Sequence, residues 1–80
     1  MTKLKPLPAK KVIKALEKIG FKQIRQKGSH LFLEHPDGRT TIIPIHSTKY
    51  IKINLIEKIL KDVEISRSEW IELLESLILF

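Results

Sequence analysis

Eighty residues without a cysteine make one domain, residues 1–80, and exclude a disulfide framework and any thiolate metal site. At 42% hydrophobic and 30% charged the composition is that of a folded globular protein, but so small a domain buries only about 60% of the surface its unfolded chain exposes, leaving little room for a cofactor pocket beside a core. The net charge of +6 is segregated, with +8 on residues 1–30, +2 on residues 31–61 and −4 on residues 62–80, as suits a basic side facing a polyanion and an acidic side facing away.

Taken in chain order, Met1 to Pro8 alternates lysine with leucine and proline and predicts an extended lead-in ended by Pro6 and Pro8. Ala9 to Ile19 places Val12, Ile13, Leu16 and Ile19 at helical spacing, with Gly20 as the stop, and Lys10, Lys14 and Lys18 as a stripe on the opposite side. Phe21 to Gln26 alternates as a strand, Lys27-Gly28-Ser29 is a tight turn, and His30 to Glu34 is a second strand. His35-Pro36-Asp37-Gly38 is a hairpin turn leading to a third strand, Arg39 to Ile45, which Pro44 limits to an edge or to its own end. His46 to Lys52 reads as a polar connection, and Ile53 to Val63 returns to helical spacing through Ile56, Ile59, Leu60 and Val63. Ser66-Arg67-Ser68-Glu69 is a capping box, and behind it Trp70, Ile71, Leu73, Leu74, Leu77 and Ile78 form the apolar face of a last helix. The order α-β-β-β-α-α predicts an α+β fold: a three-stranded antiparallel sheet with helices on one face. The longest apolar run, Leu77 to Phe80, is far too short to span a membrane, and a cytoplasmic protein with no membrane contact is expected. That tail is apolar on every side, and some of it is expected to meet a partner.

The run from the first helix into Gly20-Phe21 and Arg25-Gln26-Lys27-Gly28-Ser29-His30 resembles the start of HicA toxins. The resemblance continues through His35-Pro36-Asp37-Gly38, Thr41-Ile42-Ile43-Pro44-Ile45-His46, Ile59-Leu60-Lys61 and Ile65-Ser66, and covers roughly residues 8 to 76. It implies a fold like a double-stranded-RNA-binding domain, metal-independent cleavage of RNA as an mRNA interferase, and inhibition by a HicB-type antitoxin. The family's catalytic histidine lies in its Gly-Ser-His motif, which here makes it His30. Two places depart from the family's pattern: glycines usual near Ser47-Thr48 and Asn54 are absent, and Glu64 stands where the loop before the last helix usually carries a glycine. Both touch loops and neither touches the strand of His30.

Cleaving RNA without a metal needs a base for a 2′-hydroxyl proton, and histidine, with a reference pKa of about 6.5, has a large neutral fraction at working pH. It also needs positive charge or N–H donors where charge builds on the phosphate. His30 follows a Gly28-Ser29 turn that lets a phosphate approach the backbone closely, with Arg25 and Lys27 near in sequence. On the residues alone, His30 reads first as a histidine that merely starts a strand, and it is the resemblance that reverses this and assigns it chemistry. His35, before Pro36, reads as structural. His46 ends the third strand, where it is either a bystander or a helper across the sheet. The histidine spacings of 5, 11 and 16 match no metal motif, and neither metal nor other cofactor is expected.

Lys10, Lys14 and Lys18, with Lys49 and Lys52 before the second long helix, are expected as phosphate contacts if the fold reads RNA by shape, and as solvated lysines otherwise. The expected RNA-binding set is therefore Lys10, Lys14, Lys18, Arg25, Lys27, Gly28, Ser29, Lys49 and Lys52. The expected partners are RNA and an acidic HicB-type antitoxin steered to residues 1–30, the free chain being a monomer or weak dimer. The alternative is a non-catalytic RNA- or DNA-binding regulator on the same scaffold; a structural subunit completed by the apolar tail is a third reading.

Overall fold

The computed structural model describes residues 4–45 and 50–78, with the side chain of Ile78 excepted. Helix α1 (Ala9–Lys18) turns Val12, Ala15 and Leu16 fully inward, while Lys10, Lys14 and Lys18 face solvent. It stops as Gly20 predicts. The Gly20 N–H donates to the Glu17 carbonyl and the Phe21 N–H to the Leu16 carbonyl, both at 3.1 Å, a Schellman closure with Gly20 at φ +106°. Phe21, which the alternation placed at the start of the next strand, consequently does not join it. It is buried at 2% exposure as the apolar partner of that closure, and strand β2 runs from Lys22 to Lys27.

Strand β3 (His30–Glu34) pairs antiparallel with β2 and with β4 (Thr40–Pro44), giving the sheet order β2-β3-β4. β4 is one residue shorter at each end than expected, and Pro44, lacking an N–H, closes this edge strand. Alternation divides β3 and β4 cleanly: Leu31, Leu33, Thr41 and Ile43 are buried, while His30, Glu34, Thr40 and Ile42 are exposed on the reverse side, and the edge strand β2 is exposed throughout. The buried face meets the helices, α2 (Ile53–Val63) contributing Ile56, Ile59, Leu60 and Val63 to the core it shares with α1. Thr41, the one buried polar residue among the described residues, donates its hydroxyl to Asp62 at 3.1 Å. Helix α3 (Arg67–Ile78) is capped as the Ser66–Glu69 pattern predicts, with the Glu69 N–H on Ser66 Oγ and the Ser66 N–H on the Glu69 carboxylate. It anchors through Trp70, which is 1% exposed, with Leu73, Leu74 and Leu77 packed more shallowly.

Two segments expected to be irregular carry structure. The lead-in supplies β1 (Leu7–Pro8) and the polar connection supplies β5 (Tyr50–Ile51), and they pair antiparallel as a separate ribbon, Leu7 with Ile51 and Pro8 with Tyr50. The result is the expected α+β fold, in the order α-β-β-β-α-α with helices on one face of a three-stranded antiparallel sheet, as in double-stranded-RNA-binding domains. This ribbon is added to it. The apolar tail residues Leu79 and Phe80 lie outside the described residues.

Candidate active site

His30 is the first residue of β3, placed by a two-residue hairpin. Gly28 takes φ +60° and Ser29 stays at negative φ, as in a type II′ turn, so Lys27 and His30 face each other across the strand pair. The turn is fixed from both sides: Gln26 donates its side-chain amide to the Gly28 carbonyl at 3.1 Å, and Ile45 donates its N–H to the Ser29 carbonyl at 2.6 Å. A Cβ at Gly28 would meet nothing within 4 Å, so it is the backbone angle, not crowding, that requires glycine there.

The side chain of His30 stands on the open face of the sheet, exposed, with no hydrogen-bond partner among the described residues. Its cross-strand neighbours are Lys27 on β2 and Pro44 on β4. One step along, Arg25 faces Phe32, with the guanidinium carbon 5.0 Å from the ring centroid. The two-residue turn sets this register, pairing Lys27 with His30, Gln26 with Leu31 and Arg25 with Phe32, and a shift between Gln23 and Arg25 leaves Ile24 as an extra residue beyond it, so that Lys22 meets Glu34. Directly paired residues hold their Cβ atoms about 5 Å apart, so Lys27 and Arg25 bring cationic groups to the surroundings of the imidazole.

The other expected contacts separate into different regions. Lys10 and Lys14 are exposed on α1, in the helical layer behind the sheet, and Lys18 donates to Ser76 Oγ of α3 at 2.8 Å. Lys52 is exposed at the N-cap of α2. Lys49, His46 and the Ser47-Thr48 departure lie outside the described residues. The fold thus gathers Arg25, Lys27, Gly28 and Ser29 around His30 and does not gather the α1 lysines with them.

His35 follows the far end of β3, about 16 Å along the strand from His30. Its Nε2–H donates to the Ile19 carbonyl at 3.1 Å, its Nδ1 accepts the Asp37 N–H at 3.1 Å, and its ring meets Phe21 edge-on at 5.2 Å. Those bonds tie the end of α1 to the β3–β4 turn. Arg39 reinforces the turn by gripping the Asp37 carboxylate, which its hydrogen bonds hold below the ordinary carboxylate value, while its Nη1 donates to the Val63 carbonyl at 2.5 Å. Among the described residues no three His, Asp or Glu side chains converge as metal ligands, and no helix is long and apolar enough to cross a membrane.

Sequence reasoning missed Phe32. The alternation of His30, Phe32 and Glu34 marked one face, but with Lys27 counted in the turn Gln26 would face His30 and Arg25 would face Leu31; the two-residue Gly28-Ser29 turn puts Lys27 opposite His30 and so Arg25 opposite Phe32. The Glu64 departure changes no loop shape: Glu64 itself adopts the left-handed conformation, φ 58° and ψ 46°, that a glycine would take.

No match was found among curated proteins. The family model described as HicA toxin of bacterial toxin-antitoxin matches residues 9–65, from the first residue of α1 through the loop after α2, and therefore includes the sheet, the Gly28-Ser29 turn and His30. With well over half of its length matched, this chain belongs to the HicA family of bacterial toxin–antitoxin toxins.

Proposed function

We propose that this toxin is an endoribonuclease, an mRNA interferase that cleaves RNA without a metal ion, with His30 as the base and a HicB-type antitoxin as its inhibitor. The observation that supports this reading is the exposed, unpartnered imidazole of His30 beside the Gly28-Ser29 turn, with Lys27 across the strand pair and Arg25 one step along. A histidine kept only for structure is held by partners, as His35 is; His30 has none among the described residues. In the proposed step the neutral imidazole takes the 2′-hydroxyl proton and the 2′-oxygen bonds to the adjacent phosphorus. The bond to the 5′-oxygen breaks, and that oxygen takes a proton from water. Lys27 and Arg25 meet the negative charge that gathers on the phosphate. The products are a 2′,3′-cyclic phosphate and a 5′-hydroxyl.

The test is cleavage of single-stranded RNA in EDTA by wild type and by His30→Ala, with thermal melting of both. Removing a general base lowers the rate about 10²- to 10⁴-fold, and the melting temperature should hold because His30 makes no contact that the substitution breaks. RNA with methylated 2′-hydroxyls should resist; its full cleavage would defeat the mechanism. Retained cleavage by His30→Ala would favour a non-catalytic binding module contaminated by another nuclease.

A further inference from the structure

The open face of the sheet carries more than a base for RNA cleavage. Its β2 side is cationic, with Lys22, Arg25 and Lys27, and its β3–β4 side is apolar beside His30, with Phe32, Ile42 and Pro44, turning polar at the far end, where Glu34 lies between Lys22 and Thr40. Ile42, 42% exposed, pairs directly with Phe32, so the two make one apolar patch on this face. Phe32 is the aromatic ring of this face. It lies two residues from His30 on the same strand, about 7 Å away, and the Arg25 guanidinium already sits over it.

The charge on this face selects its occupant. A second copy of this chain would bring like charge to like, since the net charge is +6. A polyanion fits the β2 side, but a polyanion without flat apolar groups would leave Phe32 and Ile42 in water. A duplex hides its base faces inside its own stack, whereas an unpaired strand offers phosphates on one side and base faces on the other. We infer that Phe32, with the Arg25 guanidinium layered on it, is a stacking platform for the nucleobase next to the phosphate presented to His30. Phe32 is then a positioning residue, and unpaired RNA is the substrate that this face accepts. The inference rests on the reading of His30 as the base, but binding tests it independently of cleavage.

The experiment uses His30→Ala chain, which keeps the RNA intact, and measures affinity for a short oligouridylate, for a base-paired RNA of equal length, and for heparin, which has charge but no bases. Phe32→Leu should weaken oligouridylate binding roughly ten- to a hundredfold and leave heparin binding unchanged, and Phe32→Tyr should restore it. Phe32→Trp should gain an emission that bound oligouridylate quenches, distinct from that of buried Trp70. With His30 intact, Phe32→Leu should raise KM for RNA cleavage. Equal oligouridylate affinity of Phe32→Leu and wild type, at unchanged melting temperature, would overturn the platform and leave this face to a protein partner; so would tighter binding of the paired RNA. Failure of His30→Ala to abolish cleavage would instead strike the functional reading and leave these affinities standing.

Discussion

Glu64 holds φ 58° and ψ 46° at the end of α2, where its N–H donates to the Lys61 carbonyl and the Ile65 N–H to that of Leu60. The geometry is the closure that Gly20 makes for α1, achieved with a side chain that crowds its own carbonyl. Replacing it with glycine should stabilise the fold by about 1 kcal/mol, partly offset by the freedom glycine gains when unfolded, and urea denaturation should show a higher midpoint at the same slope. Gly20→Ala should act in the opposite direction and more strongly. Its φ of +106° is strained for alanine, and a Cβ there would stand 2.7 Å from His35 Nε2, displacing the ring from the Ile19 carbonyl. A loss of roughly 1–3 kcal/mol is expected, and a melting temperature unchanged from wild type would refute the account of His35 as a tie between α1 and the turn.

At the scale of elements, the capping box of α3 is both a sequence signal and a pH-sensitive joint. The Ser66 backbone N–H, followed by its hydroxyl, holds the Glu69 carboxyl below its ordinary value, and Arg39 does the same for Asp37 in the β3–β4 turn. Both folded values lie below the unfolded ones, so the stability they contribute is present above the ordinary carboxylate range. It is lost as pH falls through the lower folded values. Glu69→Gln and Asp37→Asn should therefore flatten the acid limb of the stability profile by lowering stability at neutral pH while changing the acid end little, which thermal melting across pH 2 to 7 would read (roughly the window set by carboxylate pKa values). Ser66→Ala should cost about 1 kcal/mol near neutral pH and less once Glu69 is protonated, because the hydroxyl is one of the groups that hold that carboxyl down. Helices with their caps were legible because those signals are local: Gly20 after Ile19, and Ser66 three residues before Glu69. The β1–β5 ribbon was not, because Leu7 and Ile51 meet only through the folded core and neither flank alternates long enough to announce a strand. For the site, His30 and the turn before it were readable, while the Arg25–Phe32 pair depends on whether Lys27 belongs to the turn or to the strand, a one-residue difference that shifts every cross-strand pair.

For the whole molecule, the layered fold divides the basic surface in two. Arg25 and Lys27 share the open sheet face with His30, whereas Lys10 and Lys14 belong to the helical layer. If RNA lies on the sheet face, Arg25→Ala and Lys27→Ala should each lower the slope of log affinity against log salt by about 0.7, the value for one lost contact on a single strand. Lys10→Ala and Lys14→Ala should leave that slope nearly unchanged. The reverse pattern, measured by fluorescence anisotropy across a salt series, would move the RNA to α1.

The β1–β5 ribbon also bears on how the chain acquires its shape. The β2-β3-β4 meander is closed by short turns, but Leu7 must find Ile51 across more than half the chain, a closure whose entropic cost grows with the intervening length. Among the described residues two pairs reward that search, and Pro8 has no N–H to give. The ribbon should therefore close after the folding transition state. Ile51 is 4% exposed, so Ile51→Val should cost roughly 0.5–1.5 kcal/mol. In stopped-flow chevrons that loss should appear almost wholly as faster unfolding, with the refolding arm unmoved, whereas Leu33→Ala, at the centre of the meander, should slow refolding.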